Sequence, residues 1–193
     1  MACDLSLGRK EPCKDVVGGI KNIYFVNYGD LGSVTLAGSG TANEDEITNI
    51  TNTSTVVAYK YEVKGNSSLE QTVNSSRENG TTFYEQTLNL TLHKLTKEDN
   101  KELKLMAYGR PHVIVEDYNG NCMMVGLEHG ADVSGGTIVT GAAMGDLSGY
   151  TLTLTAMETR PAVFMKNTGG AVFNSTDFAG LTGTITITEG TND

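Results

Sequence analysis

The chain has few basic residues and no tryptophan, and each shortage argues against a class of protein. Only 14 of its 193 residues are Lys or Arg, against 23 Asp or Glu, so the formal net charge is −9. An acidic molecule repels nucleic-acid phosphates and anionic lipid surfaces, which argues against a sequence-reading DNA-binding protein and against a membrane partner. The missing Trp counts against a carbohydrate-binding module, in which exposed aromatic platforms are expected.

Cysteine is also scarce. Cys3, Cys13 and Cys122 make an odd count and include no C-x-x-C pair. This spacing argues against a disulfide framework and against a zinc ribbon. We therefore expect buried or incidental thiols, while a contact between Cys3 and Cys13 in the N-terminal segment stays open as an alternative.

Long apolar runs are absent as well. No stretch is long enough to span a bilayer, and residues 1–19 carry charges early in place of the continuous apolar stretch of a secretory signal. We expect a product that is made and kept in the cytosol.

Catalytic patterns are missing too. The sequence has no G-x-S-x-G, no Walker loop and no H-E-x-x-H. Gly135, Gly136, Gly141 and Gly145 lack the following helix that phosphate binding needs, so they indicate bends. These absences predict a protein that is not an enzyme and that binds no cofactor.

Two groups of side chains could be drawn as a metal site. His112 and Glu116 share one face of a predicted strand, and His129 lies beside Glu128 with Asp132 nearby. Acidic surfaces produce such neighbours by chance, so the sequence predicts no metal site.

The segment "DYNGNCMMVGLE" offers a calcium-loop alternative, because side chains with oxygen atoms occupy positions one, three, five and twelve of an EF-hand. These are Asp117, Asn119, Asn121 and Glu128. However, Cys122 replaces the sixth-position glycine, and the flanks are typical of strands. A hairpin turn at Asn119-Gly120 is therefore the favoured interpretation.

Other acidic and aromatic neighbours favour ordinary roles. The carboxylates at 44–46 form a charge run with no aromatic pocket beside it, which indicates a solvated loop. Tyr59, Tyr61, Phe83 and Tyr84 could stack on a sugar or a base, but aromatic positions in strands are usually half-buried packing sites.

What the sequence does contain is a regular alternation of apolar residues with threonine. Leu88, Leu90 and Leu92 alternate with polar residues in "QTLNLTLHKL", and "GYTLTLTAME" and "LTGTITITEG" repeat the pattern. Successive side chains of a strand point to opposite faces, so each segment predicts a half-buried antiparallel strand with one apolar and one hydroxyl-bearing face. Turn signals predict further strands and hairpins within 21–29, 33–38, 54–65, 68–93, 112–127 and 136–159.

One amphipathic helix is predicted at about residues 97–108. Thr96 can cap its N-terminus, with Asp99 completing a capping-box-like pattern, and Leu103 and Met106 fall on one face. Together with the strands, this helix predicts a mainly β fold, a β-sandwich or barrel-like subunit with one flanking α-helix.

The length favours a single domain over residues 1–193, with an N-terminal segment at 1–20. The polar segment "KGNSSLEQTVNSSRENG" is too poor in apolar residues to bury much surface alone. It predicts a mobile loop near 64–80 that a neighbouring subunit orders.

The run "AAMGDLSGYTLTLTAMETRPAVF" follows a glycine-rich stretch and precedes a threonine-rich strand. It resembles the C-terminal half of major tail tube proteins of long-tailed bacteriophages. The resemblance implies a β-sandwich-like subunit with a flanking helix, six copies of which close into a ring, and rings that stack into a tube through which DNA passes. Its partners would be further copies of itself, other tail proteins and DNA in non-specific transit. It would be made in the host cytoplasm and reside in the virion tail.

Within this resemblance, the long strand before the helix supplies the candidate lumen-facing side chains. If its leucines pack inside, the period of two puts Glu85, Thr87, Asn89 and Thr91 on the opposite face. In a ring this face lines the channel, and in a monomer it meets solvent. The alternative function is another β-sandwich virion or surface module, either a capsid decoration protein or a carbohydrate-binding sandwich.

Overall fold

The computed structural model describes residues 8–11, 13–41, 44–51, 54–166 and 185–190, and in these ranges the chain is mainly β with one helix. The larger sheet has eight strands in the spatial order β12 (Ile185–Glu189), β4 (Val56–Glu62), β1 (Ile20–Val26), β7 (His112–Asp117), β8 (Cys122–Val125), β11 (Val163–Met165), β3 (Ile47–Thr51) and β2 (Ser33–Leu36). The smaller sheet has four strands in the order β5 (Ser68–Ser76), β6 (Thr81–His93), β10 (Gly149–Glu158) and β9 (Asp132–Val139). The predicted fold class is confirmed.

The four-stranded sheet is antiparallel throughout. β6 pairs with β5 on one side and with β10 on the other, and β10 pairs with β9. Gly80 closes the turn between β5 and β6 with a φ of 64°, a conformation that glycine adopts without steric cost. The hairpins predicted within 68–93 and 136–159 are confirmed.

The two sheets pack face to face through one apolar core. β6 supplies Leu88 and Leu90 and β10 supplies Leu154, and each of these leucines is at most 2% exposed. Phe25 of β1 and Val113 of β7 meet them from the larger sheet. The predicted alternation of leucine with polar residues therefore has a direct cause, because only the leucine face touches the other sheet.

A second apolar core lies on the opposite face of the larger sheet. It is drawn from that sheet and its loops, and includes Tyr24 of β1, Ile50 of β3, Ala58 of β4 and Met165 of β11. β3 and β4 are separated by four strands in the sheet, and side chains of both belong to this cluster. The cluster therefore extends across most of the larger sheet.

The helix α1 (Lys97–Tyr108) follows β6 directly. Thr96 caps it, since its side-chain oxygen accepts a hydrogen bond from the Asp99 backbone N–H at 3.0 Å. Leu103 is buried, and Met106 packs against the core between the sheets. The predicted helix, its bounds and its cap are confirmed.

The segment near 64–80 differs from its prediction as a loop. Most of it is the regular strand β5, whose register with β6 runs without a break from Ser68 opposite Asn89 to Ser76 opposite Thr81. Backbone pairing with a long neighbour orders this segment although few of its side chains are apolar. Its mobility in the free subunit stays a prediction.

The strand predicted within 181–190 is described only from residue 185, as β12. It pairs with β4, but the two strands run parallel rather than antiparallel. Lys60 of β4 and Glu189 of β12 hold the register through an ion pair of 2.6 Å. Residues 181–184 lie outside the described ranges, and so does Cys3.

Replacing Leu154 by Ala should test the core between the sheets. We expect a loss of about 3 kcal/mol in the free energy of unfolding, because the substitution leaves a cavity among buried side chains. Met157→Ala is the matched control, since Met157 lies on the same strand but is 59% exposed, and it should change stability by less than about 0.5 kcal/mol. Urea unfolding measures both, and equal losses would contradict the assigned faces of β10.

Candidate functional site

The outer face of the four-stranded sheet carries the four side chains that the sequence nominates for a lumen. Because Leu88 and Leu90 are buried between the sheets, the alternate residues of β6 point away from the core. Each of these outward side chains is half-buried by its neighbours on adjacent strands, and they are Glu85, Thr87, Asn89 and Thr91. The structure brings all four onto one surface, which we call the outer face.

Threonines of β10 stand beside the β6 residues and complete this surface. Thr153 lies opposite Asn89 and donates a hydrogen bond to its side-chain oxygen at 3.0 Å. Thr151 lies opposite Thr137 of β9, and their hydroxyl oxygens are 2.6 Å apart. The outer face is thus a layer of short hydroxyl and amide groups that bond largely to one another.

The charge of the outer face has one sign. None of the four strands contains Lys or Arg. Its carboxylates include Glu70 on the edge strand β5 and Glu85 on the inner strand β6, and Asn74 donates to Glu85 over a long 3.5 Å. A surface without fixed cations offers no ion-pair partner to a phosphate group.

Both edges of this sheet are open within the described chain. β5 pairs only with β6, and β9 pairs only with β10. Neither edge strand contains Lys or Pro, the residues that commonly block pairing at an exposed edge. The sheet can therefore accept a further strand on each side.

The hairpin of β5 and β6 is longer than the sheet that supports it. The last residue of β10, Glu158, pairs with Tyr84, so residues 74–83 extend past the end of β10. We call this segment the overhang. Phe83 within it is 38% exposed, and Val73 at its base is 59% exposed. Both exposed apolar side chains lie at the base of the overhang, where the hairpin passes the end of β10, and they offer an apolar contact to a neighbouring molecule.

The aromatic candidates do not form one platform. Tyr59 and Tyr61 lie on β4 of the larger sheet, where Tyr61 packs edge-on against Phe25 with ring centroids 5.1 Å apart. Phe83 and Tyr84 are successive residues of β6 and point to opposite faces. No shared stacking surface joins the two groups.

His112 and Glu116 are both buried and have separate partners, so they do not form a metal site together. The Nδ1 atom of His112 lies 2.7 Å from the carbonyl oxygen of Gly126. The Glu116 carboxylate accepts hydrogen bonds from the side chains of Asn22 at 2.8 Å and Tyr24 at 3.1 Å. Burial, followed by the charge of Glu116, raises the pKa of the Tyr24 hydroxyl, which stays a donor.

The buried imidazole of His112 should make stability depend on pH. Burial lowers its pKa below the usual value of 6.5 and outweighs the hydrogen bond to Gly126. As pH falls below about 6.5, the unfolded chain binds the proton first, so stability falls by up to about 1.4 kcal/mol per pH unit until the folded pKa is reached.

In His112→Asn, which retains a donor for the Gly126 carbonyl, this part of the pH dependence should disappear. Urea unfolding of both proteins at about pH 7.5 and pH 5.5 measures the difference between their slopes. Identical slopes would show that His112 titrates alike in the folded and unfolded chain.

The segment considered as a calcium loop forms a hairpin turn instead. Asp117 accepts hydrogen bonds from the backbone N–H groups of Asn119 at 2.9 Å and Asn121 at 2.7 Å. Burial opposes ionisation of Asp117, but the hydrogen bonds from Asn121 and Asn119 outweigh it and lower its pKa. The three oxygen-bearing side chains therefore close the hairpin between β7 and β8, as predicted.

Glu128 and His129 lie close to a third potential metal ligand that their spacing in the sequence does not predict. The third member of their cluster is Glu158, and Asp132 is not part of it. Glu158 continues the inner face of β10 after Leu154 and Ala156, and it is only 2% exposed. The sequence does hold one signal for this residue, because a carboxylate at a core-facing position of an alternating strand must have a polar partner.

The carboxylates at 44–46 lie in a loop before β3. Glu44 is exposed and accepts a hydrogen bond from the Gly40 backbone N–H at 2.9 Å. Asp45 pairs with Arg160 at 3.1 Å. These contacts are typical of a solvated loop.

Comparisons with protein-family models, curated proteins and solved structures found no match for this chain. Among the described residues, no helix combines the length and apolar character that crossing a membrane requires.

Proposed function

We propose that this chain is a structural protein of a long-tailed bacteriophage, a tail tube subunit that closes into hexameric rings and stacks into the conduit for DNA. The proposal rests on one observation above all. Within the described chain, a four-stranded antiparallel sheet has two open edges, and none of its strands carries a fixed cation. Its partners are then other copies of itself, other tail proteins and passing DNA, and its place is the virion tail.

The order of strands suits closure into a ring. Neighbouring strands of the small sheet alternate in direction, so its two edge strands, β5 and β9, run in opposite directions. A rotation about a common axis brings β9 of one copy beside β5 of the next, and the new pair is antiparallel like the rest. Such a head-to-tail contact uses two different edges and generates a closed ring when the rotation is right.

The width of such a ring is compatible with a channel. Six copies of the small sheet give a barrel of about 24 strands, and at about 4.8 Å per strand and a tilt of about 40° the backbone diameter is about 48 Å. Side chains on the inside narrow this to roughly 35 Å. A DNA duplex passes through an opening of that width.

The chemistry of the outer face suits transit rather than binding. Lys and Arg gain affinity for nucleic acid by releasing counterions from phosphates, and this face has neither. Glu85 repels phosphates, while Thr87, Asn89 and Thr91 are neutral. The proposed role is therefore structural, with no catalytic step and no cofactor.

A double substitution tests the lumen assignment. In Glu85→Lys with Asn89→Lys, rings and tubes should still assemble, because neither side chain touches the leucine face of β6. Passage of DNA should slow, and retention of DNA by the tubes should rise steeply as salt falls, since the new cations bind phosphates. Filter binding across a salt series, with tubes counted by electron microscopy, measures both effects.

The matched control is Glu102→Lys with Asn100→Lys, which adds the same charge to α1, where Asn100 is exposed and the Glu102 side chain is partly exposed. Its DNA retention should stay near that of the parent if α1 lies outside the channel. Equal retention by the two double variants would remove the outer face from the lumen.

The overhang generates a prediction about stacking. Replacing residues 75–82 by an Asn-Gly turn keeps every pair between β6 and β10 but shortens the projecting tip. Rings should form at the normal size, whereas stacking into tubes should be lost, because the part of the hairpin that projects past β10 is removed. Native mass spectrometry reports the rings, and negative-stain microscopy reports the tubes.

The full proposal is tested most directly by the assembly state of the purified protein. Hexamers or tubes of uniform width support it, whereas a stable monomer or trimer that never stacks favours the capsid decoration alternative. The carbohydrate-binding alternative has one feature in its favour, a groove of about 610 Å³ beside α1 that is lined in part by Tyr28, Tyr59 and Tyr108. Sugar binding by a monomer that loses affinity in Tyr108→Ala would support that alternative.

A further inference from the structure

A cluster of one histidine and two carboxylates joins the two sheets at the end of β10. Glu128 and His129 lie in the loop between β8 and β9, Glu158 is the last residue of β10, and their potential ligand atoms lie within 4.8 Å of one another. We propose that this cluster is a binding site for a divalent cation of the zinc class, which fastens the loop after the larger sheet to the smaller sheet.

Glu158 is held in position before any cation arrives. Its Oε1 atom accepts hydrogen bonds from the backbone N–H groups of Glu128 at 3.0 Å and His129 at 2.9 Å. These bonds leave Oε2 facing the imidazole of His129. A buried carboxylate with one oxygen committed to the backbone and the other turned toward a histidine is a preorganised ligand.

The separation of the two facing atoms fits a shared cation better than a direct contact. Nδ1 of His129 lies 3.4 Å from Oε2 of Glu158. A charge-assisted hydrogen bond is usually about 2.7–2.9 Å long. Two ligands that are each about 2.0–2.1 Å from a tetrahedral zinc ion are about 3.3 Å apart.

The third ligand, Glu128, is loosely held and can turn toward the ion. Its carboxylate lies 3.4 Å from the Thr159 hydroxyl and 3.6 Å from the guanidinium of Arg160, which is closer to Asp45 at 3.1 Å. Water would complete a four-coordinate site. Imidazole together with carboxylate favours zinc over calcium or magnesium, which prefer oxygen ligands alone.

Zinc chloride titrated into the purified protein and followed by calorimetry tests the site. Because thiolates also bind zinc, the parent for this experiment carries Cys3→Ser and Cys13→Ser. We expect one zinc ion per chain, and at a hundredfold excess over Kd the Tm should rise by roughly 5 °C. Calcium chloride at the same concentration should leave the Tm unchanged.

Two substitutions locate the binding without disturbing the backbone contacts of Glu158. His129→Ala and Glu128→Gln should each weaken zinc binding by at least about tenfold. His93→Ala is the matched control, because His93 is exposed at the end of β6, outside the cluster, and its loss should leave the zinc Kd unchanged. The site is refuted if the parent shows no saturable zinc binding, if calcium binds as tightly, or if His129→Ala and Glu128→Gln bind zinc like the parent. Ring assembly does not enter the measurement, so its outcome is independent of the tail tube proposal.

Discussion

The packing of leucines between the two sheets is the constraint on which the small sheet depends. Leu88 and Leu90 of β6 and Leu154 of β10 are nearly completely buried against the larger sheet. A strand that commits one face to the core turns every alternate side chain outward, so this single contact places Glu85, Asn89 and their neighbours on one surface. A shift of one residue in the pairing would move the leucines to solvent and the glutamate into the core.

The larger sheet has an apolar core of its own in addition to the core that it shares with the smaller sheet. Among the described residues, its second apolar cluster, around Tyr24 and Ile50, contains none from β5, β6, β9 or β10. The small sheet therefore has one apolar face to bury, and within the described chain its edges have no further strand partner. Because the larger sheet contributes to both cores and the smaller sheet to only one, the threonine-rich strands of the smaller sheet need few large apolar side chains.

Local patterns were enough to predict much of this architecture. Alternation identified β6 and β10, the capping residues gave the bounds of α1, and the Asn119-Gly120 turn was placed correctly because its chemistry is contained in five residues. What local patterns did not give depends on partners remote in the chain. β5 is ordered by its pairing with β6 rather than by its own composition, and β12 runs parallel to β4, a direction that no alternation encodes.

For the candidate sites too, the local part was predictable from the sequence and the part formed by distant residues was not. The period of two was sufficient to place Glu85, Thr87, Asn89 and Thr91 on one face, since that arrangement is internal to one strand. The cluster of Glu128 and His129 could not be completed from the sequence, because its third member, Glu158, lies about 30 residues away on β10 of the smaller sheet. Spacing in the sequence gives no measure of that distance in space.

The parallel pairing of β12 with β4 has a consequence for how the chain folds as it is synthesised. The ion pair between Lys60 and Glu189 joins residues 129 positions apart. During translation, β4 leaves the ribosome early and has β1 on one side, but its other side stays vacant until nearly the whole described chain has emerged. Contacts of such long sequence separation slow folding, so completion of the larger sheet is a late event. In that interval the nascent chain exposes a strand that another nascent chain on the same messenger could occupy.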